Sequence, residues 1–582
     1  MLASSQVINR KQTLLLILAI YLFSHPAVMG QQPNPQQSAN SQISSRPLPS
    51  AQRIGVDVAE QTPITLSDAI RLALENNKDI NVARINVQIS QFDLTAVKGI
   101  FDPKFFYESF YERRINPVSS QLSGGSSKVT QREATGTTRF SGFAPWGGGS
   151  YQVDFSSTRL TTDNQFTSLS PQFPAALTIT YTQPLLRGLR IDDNRRRIEI
   201  AKKNLSLTDA QFRERVIDII TRVERAYWDL VLALRNLQVQ TEAVNTARKQ
   251  VESNRRLVAE GILAPIEIVE AEAQVVMFEQ NVYIAQEAIT RTENSLKTLM
   301  LPDRTAPMWS QALLPVSPVN VAPPTISLTE AVSAAINNRP EIDQLQMNAE
   351  INEINTKFFR DQAKPQLDLF GIYNAAGLAG TPAQRGANPF TASNALLLQR
   401  VNELSSRAGL PTLPPPATGV FPEFLVGGLG QSLSNLFEQN FTTLRIGIRL
   451  SLPIRNRTAQ ANLGRSLAEG SRIQNQREQL ELTVETEVRN SLQAIESAQA
   501  RLAAAMAASA AAQQIYESEQ RKFQTGLSTV FLVLQRQSDL VTARGREVQA
   551  QTDLSKAIAD FYQTIGSTLK IHNITMQTQP HN

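Results

Sequence analysis

The sequence predicts a mainly α-helical protein that carries a membrane β-barrel, assembled from duplicated helix–strand–helix halves. Three observations carry this. From Ile64 the chain reads ITLSDAIRLALENNKDI and from Ile326 it reads ISLTEAVSAAINNRPEI, and the two align without a gap. A second pair of matches, EGILAPIEIVEAEAQ and TGLSTVFLVLQRQSD, follows in the same order. Between these landmarks each half holds long runs of helical periodicity and one insert of period-two alternation. Such a duplication means that one structural solution is packed against a copy of itself.

The elements follow in chain order. Arg10 and Lys11 precede the apolar run Thr13–Phe23 and the exit Val28-Met29-Gly30, the layout of a secretory signal peptide over residues 1–30. The run is shorter than the roughly 18–20 residues a spanning helix needs. Residues 31–60, rich in Gln, Pro and Ser, predict a disordered lead. The first repeat, 61–301, opens with a helix over 66–100, capped by Thr65 or Ser67 and stopped by Pro103. A strand insert at about 104–184 follows. A very long helix then runs from about Asp192 to Ala259. Its seam of Val216, Ile220, Val223, Tyr227, Leu230, Leu234 and Leu237 steps by four and three, the spacing of a coiled coil. Gly261 breaks this helix, and Pro265 opens the next, which reaches about Leu301.

Residues 302–325 hold Pro302, Pro307, Pro315, Pro318, Pro323 and Pro324 and predict an extended linker. The second repeat, 326–572, renews the plan: a helix over 328–364, a strand insert at about 365–453, a long helix over about 457–525, a turn at Gly526, and a helix over 531–570. A polar tail, 573–582, ends the chain. The first insert has room for four strand runs rather than two, and the second carries a Gly/Pro/Leu-rich stretch at about 375–438. Both excesses read as external loop or accessory hairpin.

A helix of about 68 residues is roughly 100 Å long, and the shorter ones are roughly 50 Å. Two short helices end to end equal one long one, so each half supplies two rods and the chain four, one sector of a larger tube. The strands alternate. In Thr443–Leu452, Leu444, Ile446, Ile448 and Leu450 face one way, while Thr443, Arg445, Arg449 and Ser451 face the other. This is the pattern of an outer-membrane barrel strand, although a soluble sandwich strand alternates too. Trp146, Phe140, Phe143 and Tyr151 are candidates for an interfacial aromatic girdle.

Composition excludes most chemistry. There is no cysteine, and the three histidines are His25, His572 and His581, so neither a thiolate or histidine metal site nor a histidine-based dyad has residues to work with. A net charge of +5, with basic residues spread among acids, gives no nucleic-acid footprint.

The paired starts LSDAIRLALENN and LTEAVSAAINNRPEI, the inserts ending in TQPLLRG and LSLPIRNR, and the Gly turns EGILAP and TGLSTV together carry a family resemblance. On them the chain resembles the TolC-like outer-membrane efflux protein family, over nearly all of its length past the leader. The resemblance implies a homotrimer. Each protomer gives four strands to a twelve-stranded β-barrel in the outer membrane, and the long helices form an α-helical barrel through the periplasm. It implies a passive conduit for tripartite efflux or type I secretion, with no cofactor and no catalytic or metal-binding residue. Its implied partners are a periplasmic adaptor (membrane fusion) protein, an inner-membrane pump and outer-membrane lipid.

The tip turns, where the resemblance implies adaptor contact, hold Gly261, Ile262, Leu263, Gly526, Leu527 and Ser528. The acidic aperture positions of TolC are here Leu532 and Gln535, matched in the first repeat by Glu267 and Glu270. With Phe523 these are the candidate aperture residues, and Leu532 points to an apolar constriction. Glu267 and Glu270 also suit the first turns of a helix. Arg445 and Arg449 would face the barrel lumen, where they favour anionic solutes. Two other readings stand beside this one. A periplasmic coiled-coil adaptor or scaffold without a pore would leave the envelope in high salt, and an exported enzyme would need a carboxylate pair converging from distant segments.

Overall fold

The computed structural model describes residues 52–117, 128–164, 167–318, 322–383, 389–414 and 421–576. The predicted signal peptide and the end of the tail lie outside them.

Each repeat begins with the same cap. Thr65 and Asp68 form a capping box on α1 (Leu66–Asn76), and Ser327 and Glu330 form one on α5 (Leu328–Asn338). These boxes satisfy backbone donors that a helix start leaves free. The helices predicted over 66–100 and 328–364 are each broken in two. Asn77 adopts an extended backbone and its side chain accepts from the N–H groups of Asp79 and Ile80, so it restarts the chain as α2 (Lys78–Lys98). Arg339 is extended because it precedes Pro340, which opens α6 (Pro340–Gln362).

The long helices are α3 (Asp193–Ala259) and α9 (Arg457–Gln524), and the returning ones are α4 (Ile266–Met300) and α10 (Val530–Thr564). At 67 and 68 residues the long pair reach about 100 Å. Packing fixes their order. One flank of α3 is covered by α2 and α4, its other side meets α6 and α10, and those two also pack on α9. The result is a row of four rods, α2/α4, α3, α6/α10 and α9. Apolar side chains stay exposed on both outer rods, among them Ile85, Ile89, Phe92 and Tyr283 on one and Leu467, Leu482 and Ile515 on the other.

The core sits where the rods touch. Val216, Ile220, Val223, Tyr227 and Leu230 of the α3 seam are buried with Ile70, Ile80, Leu296 and Met300. Tyr227 is fully buried, donates to the Ile64 carbonyl at 3.2 Å and accepts from the Ser317 N–H at 3.0 Å. The second repeat builds its counterpart from Ala331, Ala335, Val484, Val488, Ile558 and Phe561. After α10 a short helix, α11 (Thr568–Ile571), brings His572 to 2.9 Å from Glu224 on α3.

Two segments expected to lack structure pair with each other. β1 (Asp57–Ile64) takes residues from the end of the predicted disordered lead, and β6 (Gln311–Pro315) lies inside the predicted linker. They run parallel, Thr62 opposite Leu313. A buried ionic cluster fastens this ribbon to α4. Lys297 Nζ contacts Glu293 at 2.6 Å and donates to the carbonyls of Trp309 and Gln311, while Arg53 holds the other Glu293 oxygen at 2.7 Å.

The inserts form one antiparallel sheet of six strands. They are β2 (Lys104–Pro117), β3 (Lys128–Phe143), β4 (Ser150–Thr162), β5 (Leu169–Pro184), β7 (Gln366–Pro382) and β8 (Phe441–Ser451), hydrogen-bonded in that order. The resemblance implies four. The surplus runs of the first insert are not loop: β3 and β4 form a hairpin, and it is bonded along its length to neighbours on both sides.

The register sorts side chains by face. Phe105, Phe140, Val153, Ile179, Tyr373 and Leu444 lie in one row across all six strands. The next row, on the opposite face, holds Arg139, Asp154, Thr178, Asn374 and Thr443, with Phe106 of β2 as its one apolar member. Of the girdle candidates, Phe140 and Tyr151 share the apolar face with ring centres 6.1 Å apart. Phe143, opposite Ser150, falls on the polar face, and Trp146 sits in the β3–β4 turn.

The stretch at 375–438, expected to be loop or hairpin, is instead the end of β7 followed by two helices, α7 (Pro389–Arg407) and α8 (Leu429–Phe437). Leu433 and Leu436 of α8 pack on Ala175, Leu177, Ala375 and Tyr373, covering the middle of the apolar sheet face where β5 meets β7. Gly377 permits this approach, since a Cβ there would collide with the Ser432 carbonyl.

Candidate functional site

Both long helices end in the same way. Gly261 and Gly526 have φ of +75° and +77°, a region open to glycine at little cost. Gly261 N–H donates to Val258 and Ile262 N–H to Leu257; Gly526 N–H donates to Phe523 and Leu527 N–H to Lys522. Each pair is a Schellman cap, which closes the helix and turns the chain back. A Cβ at either glycine would meet nothing within 4 Å, so the requirement lies in φ alone.

The two turns lie side by side. Ile262, Leu263, Phe523, Gly526 and Ser528 line a shared cleft of about 610 Å³ together with Lys249, Tyr516 and Gln520. Beneath it Leu263 and Phe523 pack against Val251, Ala271, Val530 and Leu534. Leu527 projects from the tip, 80% exposed, and Ile262 is 64% exposed. Burial pushes the Tyr516 hydroxyl above its ordinary pKa.

The Ser528 hydroxyl donates to the Glu519 carboxylate and ties the second turn to α9. This bond first, and Lys522 nearby second, hold Glu519 below the ordinary carboxylate value of 4.5. A depressed carboxylate stabilises the fold above its unfolded pKa, and the contribution is lost as pH falls through the lower folded value. Limited proteolysis at the second turn should therefore accelerate only below about pH 4.5. In Ser528→Ala cleavage should already be faster at neutral pH and its acceleration in acid should shrink, because the main cause of the lowered pKa is gone. A parental rate and acid dependence in that variant would show that the bond does not hold the turn.

The five aperture candidates do not form one cluster. Phe523 packs inward between the hairpins. Leu532 and Gln535 share the exposed face of α10, with the Leu532 N–H 3.4 Å from the capping Thr529 hydroxyl. Gln535 Nε2 lies 3.3 Å from Asp539, which Arg536 also reaches at 3.1 Å. Asp539 was missed from sequence, although its i+4 spacing from Gln535 puts it on the same helix face. Glu267 and Glu270 stand in the first turns of α4, where a carboxylate meets free N–H groups, and the Glu267 carbonyl accepts from Asn254 at 3.2 Å.

At the other end, Arg445 and Arg449 both fall on the polar sheet face, Arg449 over the Phe370 ring at 5.2 Å. An Arg139–Asp154 pair at 2.6 Å joins β3 to β4 on that face. Among the described residues no helix is long and apolar enough to cross a membrane, and no group of three His, Asp or Glu residues could hold a metal ion.

The family model described as outer membrane efflux protein matches residues 150–300 and 419–567, together just over half of the chain. No curated protein matches. Among solved structures, the CmeC outer membrane channel of Campylobacter jejuni superposes with a TM-score of 0.57 at 15% identity, covering 86% of this chain and 86% of that one. VceC of Vibrio cholerae gives 0.53 at 17% identity, covering 86% and 96%. The open-state MtrE outer membrane channel of Neisseria gonorrhoeae gives 0.54 at 16%, covering 87% and 89%. At these identities the likeness is one of fold.

Proposed function

The chain belongs to the outer membrane efflux protein family, and we propose that it is the outer-membrane duct of an export assembly whose energy comes from an inner-membrane pump. The observation that carries this is the joining of one sheet, mainly apolar on one face and mainly polar on the other, to a row of four rods about 100 Å long. The sheet suits lipid outside and water inside. Three copies close the row into a tube, since a sector with two open flanks closes by rotation. The exposed apolar residues on the outer rods fit that closure.

Conduction needs no chemical step from the chain. Gly261, Ile262, Leu263, Gly526, Leu527 and Ser528 present the surface for the hairpin of a periplasmic adaptor. Leu532 and Gln535, with Asp539 one turn on, line the narrow end, and Arg445 and Arg449 face the aqueous bore.

Envelope fractionation tests this. The protein should stay with the outer membrane through high-salt washing, need detergent for release, and bring an adaptor and a pump with it on purification. Release by salt alone would favour the soluble scaffold.

A further inference from the structure

We infer that the membrane wall of this duct is an eighteen-stranded barrel, in which β2 of each chain pairs with β8 of the next copy. The inference rests on the trimeric duct proposed above and goes beyond it. Six strands in one continuous register, three times over, make eighteen.

Every strand is long enough for a wall strand. The shortest, β8, has 11 residues, and the others have 13 to 17. A tilted membrane strand needs about 9–11. The apolar row from Phe105 to Leu444 crosses all six strands and meets α8 only at Tyr373, so a membrane that covers β8 covers β2 as well. The surplus hairpin is also anchored below. The Gly147 carbonyl in the β3–β4 turn accepts from Gln183 Nε2 at 2.7 Å, at the junction of β5 with α3. It cannot swing out of the sheet without breaking this seat and two full ladders.

The free edges name the occupant. β2 and β8 are each bonded on one side only, and both are exposed almost throughout. β2 leaves α2, in one outer rod, and β8 enters α9, the other outer rod. Rotation that seats α9 against the neighbour's α2/α4 rod therefore brings β8 beside the neighbour's β2, running antiparallel to it. The exposed apolar residues of the two edges, Phe105, Tyr107 and Tyr111 against Leu444, Ile446 and Ile448, then meet on one face.

Size agrees. Eighteen strands spaced about 4.8 Å and tilted about 40° close at a radius of roughly 18 Å. Twelve rods about 9 Å apart close at roughly 17 Å. The wall then continues the tunnel at equal width, whereas twelve strands at that tilt would narrow it to roughly 12 Å. The barrel therefore sets no size limit on cargo that the tunnel passes.

The absence of native cysteine makes the test clean. Single cysteines at Phe105, Tyr107 or Tyr111 are combined with one at Leu444, Ile446 or Ile448, and outer membranes are oxidised and run without reductant. At least one combination should give covalent dimers and trimers in more than half of the chains, since opposed strand residues meet disulfide geometry. A parallel set joins Val153→Cys to the same β8 cysteines and should give none. Cross-linking of β8 to β4 but not to β2 would overturn the inference in favour of a four-strand contribution, and so would a disulfide within one chain between Phe105→Cys and Ile179→Cys, which requires β3 and β4 to have left the sheet. So would failure of all nine β2–β8 combinations in protein that fractionates with the outer membrane. Loss of the unmodified chain to a salt wash would instead sink the duct reading, and this inference with it.

Discussion

Replacing Lys297 with methionine should cost about 3–5 kcal/mol of stability, the usual penalty for removing one partner of a buried ion pair. Lys297 is fully buried and Glu293 is 1% exposed. The change leaves Glu293 with Arg53 as its one charged partner and removes the donor to the carbonyls of Trp309 and Gln311. Those carbonyls hold β6, and β6 holds β1, so the ribbon should loosen with the charge. Thermal unfolding in detergent and abundance in the envelope both read the effect. Lys297→Met combined with Glu293→Leu and Arg53→Met should recover much of the loss, because replacing every charged member of a buried cluster by apolar residues of similar volume often carries no penalty. A single variant within 1 kcal/mol of the parent would show that the cluster does not fasten the ribbon.

The second large effect falls on export. Gly526→Val places a β-branched residue at φ of +77°, a strain of about 1–3 kcal/mol that the turn must relieve by moving. The change meets no neighbour, so fold and assembly should persist while the tip surface is displaced. Pump-dependent export should fall by at least about tenfold, the equivalent of 1.4 kcal/mol in adaptor binding. Gly526→Asn should retain most export, because asparagine tolerates positive φ. Export unchanged in the valine variant, with normal outer-membrane levels, would mean that this turn is not the docking surface.

Much of this architecture was legible because its signals are local. The two capping sequences, the Gly turns and the four-and-three seam of α3 each act within a few residues. They locate helix ends and buried faces without knowledge of the rest. The alternation of β8 is just as local, and it placed Arg445 and Arg449 on one face.

What sequence concealed depends on distant partners or on competition between local signals. Nothing in DVAEQTPI announces that it will pair with QALLP, and prolines argue against strand in both. The pairing exists because Lys297 and Glu293 hold the second segment in place. The break at Asn77 hides inside a run whose amphipathic pattern continues past it, although Pro340 marks the matching break in the second repeat. β3 carries Ala134, Gly136 and Thr138 on its apolar face, so its alternation is weak until Phe140. Its place in the sheet is settled by the ladders on either side. Phe523 looked like an aperture residue by position, but the second hairpin supplies the apolar neighbours that draw it inward.

The central claim is that copies of this chain enclose a continuous water-filled bore, with lipid around one end. Electron microscopy of the protein purified in detergent tests it most directly. A three-fold particle is expected, with a hollow helical shaft about 100 Å long and a detergent belt around the sheet at one end. A single copy without a central channel, stable in the absence of detergent, would contradict it.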